Sequence, residues 1–334
     1  MHQTTTDDEL TVTDDDRPEG SSELTDTTLR GLLLVGFLAA ITIFFAWRTD
    51  GFLTTRNGLV ILSNASVIGI VSLGQVRTII AGGFDLSVSG TVPLGSVLFA
   101  VLVNAGWPVL PAALLVMAAG AAVGLINGLI VAKGGITPLI TTLGTMSIAG
   151  GLALTIADGI QIPLDDRADG VLARSTIGSV NNQVWMFIGL SLLLLLVLRY
   201  TVYGRYLYAV GGNHEAARLA GIPVDAVTAS VYVASGALAA LAGAVLASQL
   251  LTGSGTAGTD SALQSIAAVI LGGASLAGGV GGVPGTVVGV LVLGTLANGM
   301  AVMSVPSFYQ TMATGVVLLI AVGISQIRRG PASS

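Results

Sequence analysis

Between Leu29 and Ile327 the sequence is a train of apolar runs, most about as long as a bilayer is thick, separated by short polar punctuation. A helix needs roughly 20 apolar residues to cross the hydrocarbon layer. By that measure ten segments are expected to span: Leu29–Trp47, Gly58–Ile80, Leu86–Ala105, Val109–Ala132, Ile136–Ile156, Val184–Tyr200, Val224–Leu251, Leu263–Ala277, Val283–Val302 and Phe308–Ile327. A helix keeps all its backbone hydrogen bonds within one segment, as a lipid-exposed chain must. The expected fold is therefore all-α, a polytopic membrane protein of about 10 transmembrane helices. The eighth segment is short and rich in glycine, which marks it as a broken or re-entrant helix. Composition agrees: 53% of the residues are hydrophobic, 9% are charged and mean hydropathy is +0.87. A water-soluble domain carries roughly 25% charged residues.

The net charge of −5 divides unevenly along the chain. Nine acids against one base, Arg17, give the segment before Leu29 a charge of −8 and leave +3 for the rest. Residues 1–28 are expected to be an acidic, disordered cytoplasmic tail, because they offer almost nothing to bury. Residues 29–327 form the transmembrane domain and 328–334 a short cytoplasmic tail. The leader lacks the basic start and cleavage site of a secretory signal, so the first span is expected to be retained. Cytoplasmic loops carry the excess of Lys and Arg. With both termini cytoplasmic, the inner side receives nine basic residues, including Arg77, Lys133, Arg199, Arg205 and Arg218, and the outer side four: Arg48, Arg56, Arg167 and Arg174. The tryptophans fall at outer ends, while Tyr200, Tyr203, Tyr206 and Tyr208 cluster at an inner one.

Several functions are excluded by what the chain lacks. Without cysteine there are no disulfides, thiol chemistry or cysteine metal sites. No phosphate-binding loop of the G-x-x-x-x-G-K-[ST] type occurs, and the single lysine, Lys133, sits in "VAKGG", so the chain is not expected to hydrolyse ATP. Its two histidines, His2 and His214, form no catalytic or metal-binding set. Acids within the spans are too few for a proton relay. No enzyme activity, cofactor, metal or nucleic-acid partner is expected. The bilayer is the expected environment, and what remains is a pathway whose energy comes from elsewhere.

Polar residues inside the spans are the candidates for lining that pathway: Asn64, Gln75, Asn127, Thr137, Gln264 and Asn298, with Ser66, Ser72, Thr141 and Thr142 beside them. Each can equally hold helices together. Small residues at four-residue spacing (Gly120, Gly124 and Gly128; Ala239, Gly243 and Ala247; Gly285 and Gly289) suit close helix crossings within one chain. Asp85, in "AGGFDLSVSG", stands apart because a carboxylate at the bilayer centre costs about 2.5–3.5 kcal/mol. Two readings stay open. Asp85 caps the third span, or Gly82 and Gly83 break the helix so that Asp85 and Ser87 line a wet pathway or gate; Arg77 as a paired charge fits either.

The most polar stretch, "RYTVYGRYLYAVGGNHEAARLAGIPV", lies on the basic side. Asn213 as N-cap, Glu215 in the first turn and Gly221 with Pro223 as a stop predict a short helix over His214–Ala220. Glu215 and Arg218 are spaced to pair on it. A helix of two turns does not stand alone in water, so it must dock, either on its own spans or on a cytoplasmic partner.

"GRYLYAVGGNHEAARLAGIPV", "AGGFDLSVSG" and the segment from Ala257 to Met300 resemble, in order, motifs of permease subunits of bacterial sugar ABC importers of the ribose/xylose/arabinose/galactose type, relatives of the branched-chain amino-acid permeases. The similarity spans about residues 57–327. It implies a permease domain at 29–327 in the cytoplasmic (inner) membrane, a second permease subunit forming a homodimer, cytoplasmic ATPase subunits and an extracytoplasmic solute-binding protein. It implies that Gly211, Gly212, Asn213, Glu215, Ala216, Ala217, Arg218 and Gly221, within a coupling segment of about 204–223, meet the ATPase. His214 stands where the family often has an acid, Ala262 and Gln264 replace a frequent acid-bearing pair, and "DLSVSG" exchanges the last two residues of a frequent "DLSVGS". The alternatives are a branched-chain amino-acid permease and an ion-coupled secondary transporter.

Overall fold

A computed structural model describes residues 20–165 and 170–327. The chain is helical almost throughout: α1 (Gly20–Arg48), α2 (Thr55–Ile80), α3 (Val88–Asn104), α4 (Val109–Ala132), α5 (Pro138–Ile156), α6 (Asn182–Tyr200), α7 (Val202–Gly212), α8 (His214–Leu219), α9 (Val224–Leu250), α10 (Ser261–Leu271), α11 (Val283–Val302) and α12 (Ser307–Ile327). Strand structure is confined to two-residue antiparallel pairs. One pairs β1 (Ile162–Pro163) with β4 (Thr252–Gly253), the other β2 (Thr176–Ile177) with β3 (Val180–Asn181).

Each expected span contains a helix. Among the described residues, seven helices are long and apolar enough to cross a membrane: α1, α2, α4, α5, α6, α9 and α11. α3 and α10 are shorter, at 17 and 11 residues. α3 starts at Val88 instead of Leu86, and α10 stops at Leu271 instead of running on to Ala277, because glycine turns interrupt the chain at both places. α1 begins at Gly20, ahead of Leu29, since nothing in "SSELTDTT" breaks a helix. The rest of the acidic leader, with Arg17 and His2, lies outside the described residues, as do Arg167 and the segment 328–334.

The bundle is organised around α9 and α2. In their most apolar windows 67% and 61% of residues are buried inside the chain, against 28% or less for α4, α5 and α6. Packing this close rests on bare backbone. Gly120, Gly124 and Gly128 of α4 lie against Gly236, Tyr232 and Ala229 of α9, and a Cβ on Gly124 would collide with the Tyr232 carbonyl oxygen. Gly243 of α9 meets Val92 of α3 in the same way, and Gly285 and Gly289 of α11 meet Gly272 and Ala268 of α10. All three small-residue stripes therefore resolve into crossings within one chain. The opposite faces carry exposed apolar residues, such as Leu110, Leu114 and Ile126 on α4 and Ile140 and Ile148 on α5, a surface suited to hydrocarbon.

Gly124→Val should destabilise the protein by about 1–3 kcal/mol or more through overpacking. Gly144→Val, on α5 with open space around it, should stay within about 0.5 kcal/mol. Unfolding in mixed micelles, followed by circular dichroism, measures both.

Candidate functional site

α2 ends in a turn that only glycine adopts without strain. Gly82 has φ +84°, in the left-handed region that a Cβ disfavours. Its N–H donates to the Ile79 carbonyl (3.0 Å) and that of Gly83 to the Thr78 carbonyl (2.9 Å), the double closure of a Schellman motif. The chain then crosses residues 83–87 without regular structure and re-enters helix at Val88.

Asp85 sits inside this break with no solvent exposure. Its backbone faces the Gln75 side-chain amide; with that amide oriented so that donors meet acceptors, its oxygen accepts from the Asp85 N–H (3.1 Å) and its nitrogen donates to the Asp85 carbonyl (3.2 Å). Its Oδ1 accepts from the Ser87 N–H (2.9 Å) and from the Ser87 hydroxyl. That hydroxyl oxygen accepts from Asn127 Nδ2 on α4 (2.8 Å), and Asn127 Oδ1 accepts from the Thr145 hydroxyl on α5 (2.7 Å). One continuous hydrogen-bonded chain thus ties the break to three helices. On its other side the carboxylate faces α9. Ser235 and Tyr232 of α9 lie within electrostatic reach of it. Asp85 Oδ2, the Ser235 hydroxyl and the Tyr232 hydroxyl are all buried and unpartnered. Buried polar atoms without partners are costly, and these three belong to the break and to the α9 face packed against it.

The helix break is present, but Asp85 is not the N-cap of α3. Asp85 bonds the N–H two residues on, ahead of the first turn of α3, while Ser87 occupies the N-cap position. Arg77 is not its charge partner: Arg77 Nε donates to the Leu73 carbonyl (3.2 Å), and no cation among the described residues pairs with Asp85. α10 begins with its Ala262 N–H donating to the Ser89 hydroxyl of α3 (3.0 Å). It ends in a second Schellman turn at Gly273, φ +91°. Gly279, in the break that follows, donates its N–H to the Ile80 carbonyl at the end of α2 (2.9 Å), so the two breaks touch.

Of the pathway candidates, Asp85, Ser87, Gln75 and Asn127 converge, with Gly82 and Gly83 adjoining them. The others do not. Asn64 lies towards the opposite end of α2, accepting from Gln249 Nε2 (2.9 Å). Thr137 is exposed at the start of α5 and Gln264 half-buried on α10. Asn298 is on α11 with its amide oxygen buried and unpartnered. Thr145, Tyr232 and Ser235 complete the junction without standing out in the sequence. A tyrosine in the middle of an apolar span, away from the interfacial aromatics, was the available signal, because a buried phenol needs a partner.

The short helix forms as α8, with Asn213 Oδ1 accepting from the Ala216 N–H (2.9 Å) and Gly221 at φ +79° closing it. Arg218 pairs with Asp225 on α9 (3.1 Å) instead of Glu215. Gly212, Asn213, Glu215, Ala216, Arg218 and Gly221 face outward, whereas Gly211 and Ala217 are buried against the protein. Beside α8 opens a cavity of about 530 Å³, lined by Leu129, Lys133, Arg218, Ile222, Pro223 and Asp225 among others.

Helices of membrane-crossing length, two of their neighbours broken by glycine around a sealed polar junction, with a short amphipathic pair at one end, define a polytopic membrane transport protein. The chain belongs to the family described as the permease component of the branched-chain amino acid transport system, which matches residues 58–322. It is 38% identical over 287 residues to the ribose import permease of Bacillus subtilis, covering 85% of this chain and 89% of the relative. It is 35% identical to the L-arabinose ABC transporter permease of Azospirillum brasilense, covering 83% and 82%. It is 31% identical to the xylose transport system permease of Escherichia coli, covering 91% and 93%. No solved structure matches it.

Ser87→Ala removes the hydroxyl between Asp85 and Asn127 and leaves the Asn127 amide nitrogen without its acceptor. It should cost about 1–3 kcal/mol of stability. A double-mutant cycle with Asn127→Leu should show coupling above about 0.5 kcal/mol, read from thermal unfolding in detergent.

Proposed function

We propose that this chain is the membrane-spanning subunit of an ATP-binding-cassette importer and forms the pathway through which a monosaccharide crosses the cytoplasmic (inner) membrane. The observation that carries this reading is full-length similarity to import permeases whose named cargoes are ribose, arabinose and xylose. The family's own description names branched-chain amino acids, but a zwitterion calls for charges or helix ends matched to both its groups. The junction at Asp85 is instead mostly neutral hydroxyl and amide, the chemistry that suits an uncharged polyol. An ion-coupled transporter would leave the outward face of α8 without a purpose.

Asp85 and Ser87, supported by Gln75, Asn127, Gly82 and Gly83, are the gate in this reading. Asn64, Thr137, Gln264 and Asn298 belong to the pathway beyond it. Gly212, Asn213, Glu215, Ala216, Arg218 and Gly221 present the coupling surface to a cytoplasmic ATPase subunit, consistent with the absence of a phosphate-binding loop in this chain. Two permease copies, two ATPase subunits and an extracytoplasmic solute-binding protein make up the assembly, with both permease termini in the cytoplasm.

Reconstitution in liposomes with the ATPase subunits and binding protein tests the reading. Uptake of labelled pentoses and hexoses should require ATP and binding protein together, and uptake driven by an ion gradient alone would sink it. Arg218→Glu should reduce the ATPase retained on affinity-purified permease about fivefold, the equivalent of roughly 1 kcal/mol at an exposed charge, with membrane insertion unchanged.

A further inference from the structure

At the elbow between α7 and α8 the chain touches both broken segments at once. Gly211, the penultimate residue of α7, is buried there, and a Cβ on it would collide with the Ile80 carbonyl oxygen that ends α2 and sit 2.7 Å from the Gly279 nitrogen. A Cβ on Gly278 would lie 2.5 Å from the Gly211 carbonyl oxygen and 2.9 Å from Gly82 Cα. A Cβ on Gly279 would lie 3.1 Å from Gly212 Cα. Three chain segments thus meet backbone to backbone, and hydrogen bonds fasten them. The Gly279 N–H donates to the Ile80 carbonyl (2.9 Å), and one turn back on α7 the Tyr208 hydroxyl donates to the Gly281 carbonyl (2.9 Å). Burial pushes the Tyr208 phenol up from its ordinary value, so it stays a donor. From Ile80 the chain runs five residues to Asp85, and α8 follows Gly211 after two.

We infer that Tyr208 and Gly211 are positioning residues that transmit movement of α8 to both helix breaks, so that the gate at Asp85 and the segment 272–282 shift together when the coupling surface is displaced. This rests on the importer reading. It separates the eight residues of the coupling segment into two tasks: the outward ones hold the ATPase, whereas Gly211 makes no such contact and carries the displacement inward. Tyr208, within the same segment but outside those eight residues, shares that task. The contact is selective in a way that ordinary packing is not. Losing it should leave the ATPase bound and hydrolysing while transport fails.

The test compares wild type, Tyr208→Phe, Gly211→Ala and a control, Gly189→Ala on α6, where a Cβ meets nothing within 4 Å. Each is co-purified with its ATPase subunits, reconstituted with binding protein, and measured for ATPase retained, ATP hydrolysed and sugar taken up. Tyr208→Phe loses one hydroxyl and should fold even if Gly211→Ala does not. The expected result for Tyr208→Phe is wild-type retention and hydrolysis, with sugar taken up per ATP lowered about three- to tenfold, the range set by one neutral hydrogen bond. Where it folds, Gly211→Ala should lower the ratio further, and Gly189→Ala should match wild type. Unchanged uptake per ATP in Tyr208→Phe overturns the inference. So does a fall in uptake matched by an equal fall in ATPase retained, since Tyr208 would then serve attachment. A wild-type chain that retains no ATPase at all refutes the importer reading itself, an outcome distinguishable before any variant is measured.

Discussion

Every backbone amide and carbonyl within a bilayer must find its partner inside the chain, and the rest of this structure follows from how that demand is met where helices stop. Most helices end at the edges of the bundle. α2 and α10 stop where their neighbours still pack around them, and each closes its last turn on itself with a glycine in the left-handed region. What the turns leave over is satisfied by side chains from the same or neighbouring helices or by the other break. Gln75 serves both backbone groups of Asp85, Ser89 caps α10, and Gly279 serves Ile80. A broken helix is tolerated only where protein surrounds it, so the breaks and the deep burial of α2 and α9 are one feature.

The same demand explains why the polar groups are so unevenly distributed. Asn127 and Thr145 would be poor choices facing lipid, yet they form an unbroken line from α5 through α4 to Ser87 and Asp85. On the α9 side satisfaction is incomplete, and three polar atoms stay buried without partners. The asymmetry places the hydrogen-bonded anchors of the break on α4 and α5, while its α9 side is held by close packing.

The span segmentation is legible in the sequence because length and hydropathy act on whole segments, and a helix appears within each of the ten. The start of α8 is legible because an Asn N-cap before an acidic first turn is a local rule. The partner of Arg218 is not: Glu215 is closer in sequence, but α9 brings Asp225 into reach. α7 is hidden because its tyrosines read as interfacial anchors, although Leu207, Val210 and Gly211 form a buried face. At the site, Asp85, Ser87, Gln75 and Asn127 are recoverable as polar residues in apolar surroundings. Their convergence is not, because it depends on α4 and α5 crossing α3 at a register that only packing sets. Tyr232 and Ser235 disappear into the apolar run of α9 for the same reason.

Where Gly211, Ile80 and Gly278 touch, no side chain lies between them. Side chains absorb small displacements by changing rotamer, and a contact without them has no such compliance. The elbow therefore works as a bearing and not as a spring. Stiffness at this point is set by peptide geometry and not by the rotamers of packed side chains.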